Sequence, residues 1–190
     1  MAEAEQQEPS APGGADALNG EVVRQDEAGR VIERATLHDG KLNGETVLYD
    51  ETGAISQRIN FKEGLMDGPM QCFQKGVMLL HANYRSGKLE GASTTFDESG
   101  QPLLLAHYQQ GELSGDSHWF GPEGNALKRS QFRGGQLEGV TVEYFAGGKP
   151  RLRSEYKANK LDGETIEYTE DGKISSRVLF KGGQPVPPVR

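Results

Sequence analysis

Four histidines, one cysteine and 28 acidic residues are the side chains of this 190-residue chain equipped for metal binding, nucleophilic attack or proton transfer. His38, His81, His107 and His118 stand far apart and at unrelated offsets in the repeat described below, so the short spacings that close a metal site are missing. Cys72 is alone, which excludes an internal disulfide and a cysteine zinc site. With no base partner nearby in the sequence it reads as a half-buried structural residue. The carboxylates concentrate at turns, where a pair spaced for acid–base work would arise only by accident. The Gly-Gly and Gly-x-x-Gly clusters sit in turn sequences and not ahead of helices, which removes a phosphate-loop reading. The chain is therefore expected to be no enzyme and to use no metal or cofactor.

What remains is surface recognition. An arginine column, Arg34, Arg58, Arg129, Arg153 and Arg177, is interrupted by His81 and Leu105. In the same stretch Met70, Cys72, Leu79, Leu103, Trp119 and Leu127 are apolar where other copies of the repeat are polar. Columns that repeat serve the stack, so residues that break a column are the better candidates for function. An apolar patch with a charged surround marks many interaction sites, and Trp and Arg are frequent anchors. The candidate partner-binding set is Met70, Cys72, Leu79, His81, Leu103, Leu105, Trp119, Leu127 and Arg129. Cover by the chain itself, or a homodimer, is the competing use of the same patch.

The elements that must position these residues follow from internal repetition. G-x-[LM]-x-G recurs as GKLNG, GLMDG, GKLEG, GELSG and GQLEG, with NKLDG and a degraded DALNG beside them. The closing glycines are Gly20, Gly44, Gly68, Gly91, Gly115, Gly139 and Gly163, spaced 24, 24, 23, 24, 24 and 24 residues apart. Five residues after the last six of these stand Tyr49, Phe73, Phe96, Phe120, Tyr144 and Tyr168. Phe61, Tyr84, Tyr108, Phe132, Tyr156 and Phe180 close the units, and a second glycine lies between the two aromatics. The first unit is atypical, as terminal repeats often are.

Each unit reads as a β-hairpin. In GETVLYDETGAISQRINFKEG, two runs rich in β-branched and aromatic residues flank DETG. A type I turn closing on a left-handed glycine fits Glu51-Thr52-Gly53; it sets Asp50 opposite Ala54, Tyr49 opposite Ile55 and Val47 opposite Gln57. The short unit loses its residue in the turn, and a two-residue Lys75-Gly76 loop then sets Phe73 opposite Met78. Alternation along the strands predicts one face carrying both aromatic columns with Val47, Ile59, Leu80, Leu104, Val142 and Ile166. The other face is predicted to be wet, with Thr46, Arg58, Thr141, Glu143 and Arg153. Successive hairpins should pair edge to edge into an all-β, elongated antiparallel array of about fourteen strands, a single curled and twisted sheet.

These columns resemble the MORN repeat variant and, more narrowly, the bacterial YwqK-type antitoxin group, over roughly Leu18 to Gly183. The resemblance implies a β-hairpin array. It also implies an antitoxin or immunity protein that neutralises a cognate toxin or secreted effector by stoichiometric binding. A structural scaffold or membrane-associated repeat protein is the alternative from a different class.

Composition narrows the partners. Net charge is −7, of which the segment before Gly20 contributes −4. The body is nearly balanced, without the basic footprint of a nucleic-acid binder or of a protein drawn to anionic lipid. No apolar run approaches the ~18 residues of a membrane span, and the start lacks the charged and apolar regions of a signal peptide. A reducing, cytoplasmic home is expected. The domain reading is an acidic, disordered tail over 1–17, the repeat domain over 18–183 and a Pro-rich tail over 184–190. Prolines in that last segment cannot donate ladder hydrogen bonds, so it should oppose edge-to-edge growth.

Overall fold

The structure is a computed structural model that describes residues 19–187. The expected acidic tail over 1–17 and residues 188–190 lie outside that range. The strands are β1 (Gly20–Gln25), β2 (Val31–His38), β3 (Lys41–Tyr49), β4 (Ile55–Lys62), β5 (Leu65–Gln74) and β6 (Val77–Arg85). Then come β7 (Lys88–Leu89), β8 (Gly91–Phe96), β9 (Pro102–Gln109), β10 (Glu112–Leu113), β11 (Gly115–Phe120) and β12 (Ala126–Arg133). The last are β13 (Gln136–Tyr144), β14 (Pro150–Lys157), β15 (Lys160–Tyr168), β16 (Ile174–Lys181) and β17 (Gln184–Pro185). Fourteen strands have six residues or more, as expected; three have only two. Each pairs antiparallel with its neighbours in sequence, and the pairs β7/β8 and β10/β11 are single strands interrupted by one residue. Among the described residues β1 pairs only with β2 and β17 only with β16, so the sheet is open.

Two kinds of turn alternate along the array. One edge carries two-residue turns with both residues at positive φ, among them Asp39-Gly40, Glu63-Gly64 and Ser86-Gly87. That geometry matches the right-handed twist of the strands it joins. These turns are also where units are tied together. Gly64 N–H donates to Leu42 O, Gly87 to Met66 O and Gly135 to Leu113 O, at 2.8–2.9 Å. The fourth residue of the motif adds a second tie. The Asp67, Glu90, Glu138 and Asp162 carboxylates accept from Ser86, Gln110, Ala158 and Gly182 N–H groups in the following turn.

The opposite edge carries the expected three-residue loops. Gly53 N–H donates to Asp50 O and Asp50 N–H to Ala54 O. Tyr49 lies opposite Ile55, and in the short unit Phe73 lies opposite Met78.

One step further from the loop the observed register departs from the expected one. Leu48, not Val47, lies opposite Gln57, because Ser56 is an extra residue that no partner opposes. Ile32, Leu79, Leu103, Leu127, Arg151 and Ser175 are the extra residues of the other units. A bulge of one residue changes which side chains share a face. The two aromatic columns consequently lie on opposite faces, against the expectation of a common one. Trp119 approaches Phe132 at 6.4 Å on one face, and Phe120 stacks on His118 at 6.4 Å on the other.

The first of these, here the inner face, holds the sheet's best-buried row. Ala35, Thr46 and Ile59 lead it, Ala82 and Ala106 occupy its middle, and Ser117, Ser130, Thr141 and Ser154 continue it. Small side chains can be covered within a single layer only by larger ones beside them on the same face. Trp119 and Phe132 flank Ser117 and Ser130 in this way. Within the row, Thr141 Oγ1 donates to Ser130 Oγ at 3.0 Å. The second, outer face carries an alternating row in which arginines enclose aliphatic residues: Arg34–Val47–Arg58 and Arg129–Val142–Arg153–Ile166–Arg177. Val47 and Ile166 are buried there, consistent with cover by the aliphatic stems of the flanking arginines. Val47, Val142 and Ile166 thus share the face of the arginines, and Thr46, Thr141 and Glu143 share the face of the second aromatic column. Both placements reverse the sequence expectation.

Candidate functional site

The arginine column is an ion-pair column. Arg34 meets Glu21 at 3.1 Å, Arg58 meets Glu45 at 3.1 Å, Arg129 meets Asp116 at 2.9 Å and Arg177 meets Glu164 at 3.4 Å. The acid always follows a closing glycine. Where that position is Val140, Arg153 turns to Glu155 at 2.9 Å instead. Where it is Pro69 or Ala92, the arginine is absent as well, and His81 or Leu105 stands in its place. The interruption noted in the sequence is therefore the loss of whole pairs, acid and base together. Gln71, His81, Thr94, Leu105 and His118 form a continuous segment of the outer row without arginine or carboxylate before Arg129 restores the pattern.

The inner face has its own central segment. Cys72, Leu80, Thr95, Leu104 and Trp119 follow one another across five strands. Met70 lies in the neighbouring buried row, opposite Ile59 and Ala82. Leu79, Leu103 and Leu127 occupy the bulge position. Arg151, at that position in the next unit, bonds Glu143 of the inner face, which identifies the side to which this position turns. Leu103 is 40% exposed and Leu127 44%. Lys128 ends the apolar run, its Nζ 5.2 Å from the Trp119 ring centre, and Glu143 follows it. Burial pushes the Cys72 thiol up in pKa, away from the thiolate form.

The nine candidate residues thus separate. Met70, Cys72, Leu79, Leu103, Trp119 and Leu127 come together on the inner face, while His81, Leu105 and Arg129 lie on the outer face. Leu80 and Leu104 belong to the inner segment and escaped the sequence reading, because they were assigned to the stack. An open trough of about 630 Å³ is lined by Phe132 and Tyr156 among others. Its carboxylates Glu138 and Asp162 are engaged by the next turn, and Asp162 also accepts from Lys181 at 2.9 Å. Among the described residues no cluster of His, Cys, Asp or Glu has the geometry of a metal site.

Repeats built on paired glycines, two aromatics and linked hairpins have a counterpart among known families. The model of the MORN repeat variant matches residues 89–110 and 161–181. The two stretches correspond to the hairpins β8–β9 and β15–β16, and the fold as a whole is a MORN-like β-hairpin array. No curated protein matches the chain. Repeats of this kind serve in general as binding modules.

Proposed function

We propose that this protein is a non-catalytic binding module that neutralises a cognate bacterial toxin or secreted effector by covering it in a stoichiometric complex. The observation that carries the reading is the central inner-face segment, where Leu104 and Trp119 adjoin, Leu80 follows across Thr95, and the exposed Leu103 and Leu127 lie at the border. A contiguous apolar surface with a charged border is the usual form of a protein contact site. The toxin as partner rests on the resemblance to the YwqK-type group. Pairing of the outer-face arginines with carboxylates favours a protein partner over an anionic membrane, which would draw on unpaired basic residues.

Trp119 rests on Phe132, so its truncation would mix folding with binding. Leu103 and Leu127 are cleaner probes. Titration calorimetry with the product of an adjacent gene should give one-to-one binding. Leu103→Glu/Leu127→Glu should weaken it by ~2 kcal/mol or more, the scale of an interface hot spot, with an unchanged melting temperature. Leu105→Glu, on the outer face, should leave it intact. If Leu105→Glu abolishes binding while the double variant does not, the inner-face reading is wrong.

A further inference from the structure

Among the described residues, four of the eight exposed large apolar side chains lie on the two end strands. Val22 and Val23 on β1 are 41% and 45% exposed, and Ile174 and Leu179 on β16 are 51% and 49%. Among the described residues, the outer edge of β1 and the edge of β16 over Ile174–Val178 pair with nothing. Interior junctions between units show what such edges fit. Leu161 lies opposite Tyr156; beyond the closing Gly163, Thr165 lies opposite Ser154, Ile166 opposite Arg153 and Glu167 opposite Leu152.

β17 begins this same junction and then stops. Gln184 lies opposite Lys181 and Pro185 opposite Phe180, and Gly183 N–H donates to Leu161 O at 2.8 Å, as Gly64, Gly87, Gly111, Gly135 and Asn159 N–H groups do to the preceding unit. The next closing glycine would fall at position 187, which is proline. The seven closing glycines have φ between 79° and 129°, whereas proline is held near about −65°. The chain therefore cannot enter the first strand of an eighth unit at that point, and among the described residues β16 keeps its free edge over Ile174–Val178.

We propose that the strand this edge accepts is β1 of a second copy, and that Gln184–Pro187 hold the junction shut. Continuing the interior register sets Val22 of the incoming copy opposite Val178, Val23 opposite Arg177 and Arg24 opposite Ser176. Arg177 then lies between Ile166 and Val23, as Arg153 lies between Val142 and Ile166. The incoming Asn19 and Gly20 require the space now held by Val186 and Pro187, so the cap and the second copy exclude one another. Because the contact joins one end to the other, repetition gives open chains and not closed dimers.

The test uses the whole 190-residue chain. Gln184→Pro/Val186→Pro leaves residues 184–188 without an N–H group and removes the 2.7 Å bond from Val186 N–H to Leu179 O. Sedimentation velocity should show mass rising with concentration past the dimer, while the native chain stays monomeric. Adding either Val22→Lys/Val23→Lys or Ile174→Lys should return the uncapped chain to monomer, since a charge on an edge opposes strand addition. The milder Val186→Pro must shift association in the same direction. Monomeric behaviour of both folded uncapped variants overturns the proposal. So does association that ends at a dimer, or that persists with lysines on either end strand.

Discussion

At the scale of single residues, the closing glycine combines positive φ in every unit with a close approach in some. Gly163 has φ +129°, and a Cβ built there would meet Glu155 Cβ at 2.7 Å. Backbone strain and a close approach act together, so the neighbour cannot simply rotate away. Gly163→Ala should therefore lower stability by about 1–3 kcal/mol, the range for a side chain forced into left-handed or more extended positive-φ backbone, as read from a denaturation midpoint. Gly20, where the same construction meets nothing within 4 Å, should tolerate alanine better. If both alanines cost the same, backbone conformation alone sets the preference and the contact with residue 155 is irrelevant.

At the scale of the hairpin, the loop aspartates act as built-in staples. Asp50 accepts from the Thr52 and Ala54 N–H groups and from Thr52 Oγ1; Asp97 does the same with Ser99 and Gln101. The Thr52 hydroxyl chiefly, with backbone N–H groups behind it, holds the Asp50 carboxyl below its ordinary pKa, and the Ser99 hydroxyl does so for Asp97. Asp26 is lowered first by the Arg30 N–H and then by its guanidinium. A carboxyl more acidic in the folded than in the unfolded chain stabilises the fold above the unfolded value. That contribution is lost as pH falls through the folded value. Melting temperature should accordingly hold above the ordinary carboxylate range near ~4 and fall below it. Asp26→Asn/Asp50→Asn/Asp97→Asn keeps an acceptor at each loop but removes the titration, so its melting temperature should depend less on pH in that acid window. An unaltered acid profile would remove these loops as its source.

At the scale of the whole molecule, fourteen long strands in one open meander make a body governed by strand spacing. At ~4.8 Å per strand the sheet runs for roughly 65 Å. Small-angle scattering should then give a radius of gyration near ~20 Å, against ~16 Å for a compact domain of this length. The compact value would mean that the sheet folds back on itself in solution. An extended body also suits a binding role, because it offers two broad faces while committing few large side chains, Val47, Ile59 and Ile166, to close burial beside small ones such as Ala82, Ala106 and Ser130.

Unlike the two-residue turns between hairpins, the period, the strand number, the loop within each hairpin and the pairing next to it were legible in the sequence by itself. Each depends on glycine, aspartate and aromatic residues recurring at set distances, and local backbone chemistry dictates those residue types. The candidate site was legible only as a set of column breaks. Its division between faces was not, because the deciding feature is one extra residue per hairpin, and that position holds Ser56, Leu79, Leu103, Leu127, Arg151 or Ser175 without a common chemistry. A one-residue bulge leaves the hydrophobic count of a strand unchanged while moving side chains to the other side of the sheet. Only pairing with the neighbouring strands determines where that residue is inserted. Tertiary structure therefore decided that Trp119 shares a face with Phe132 and the buried row, and that the arginines enclose Val47 and Ile166.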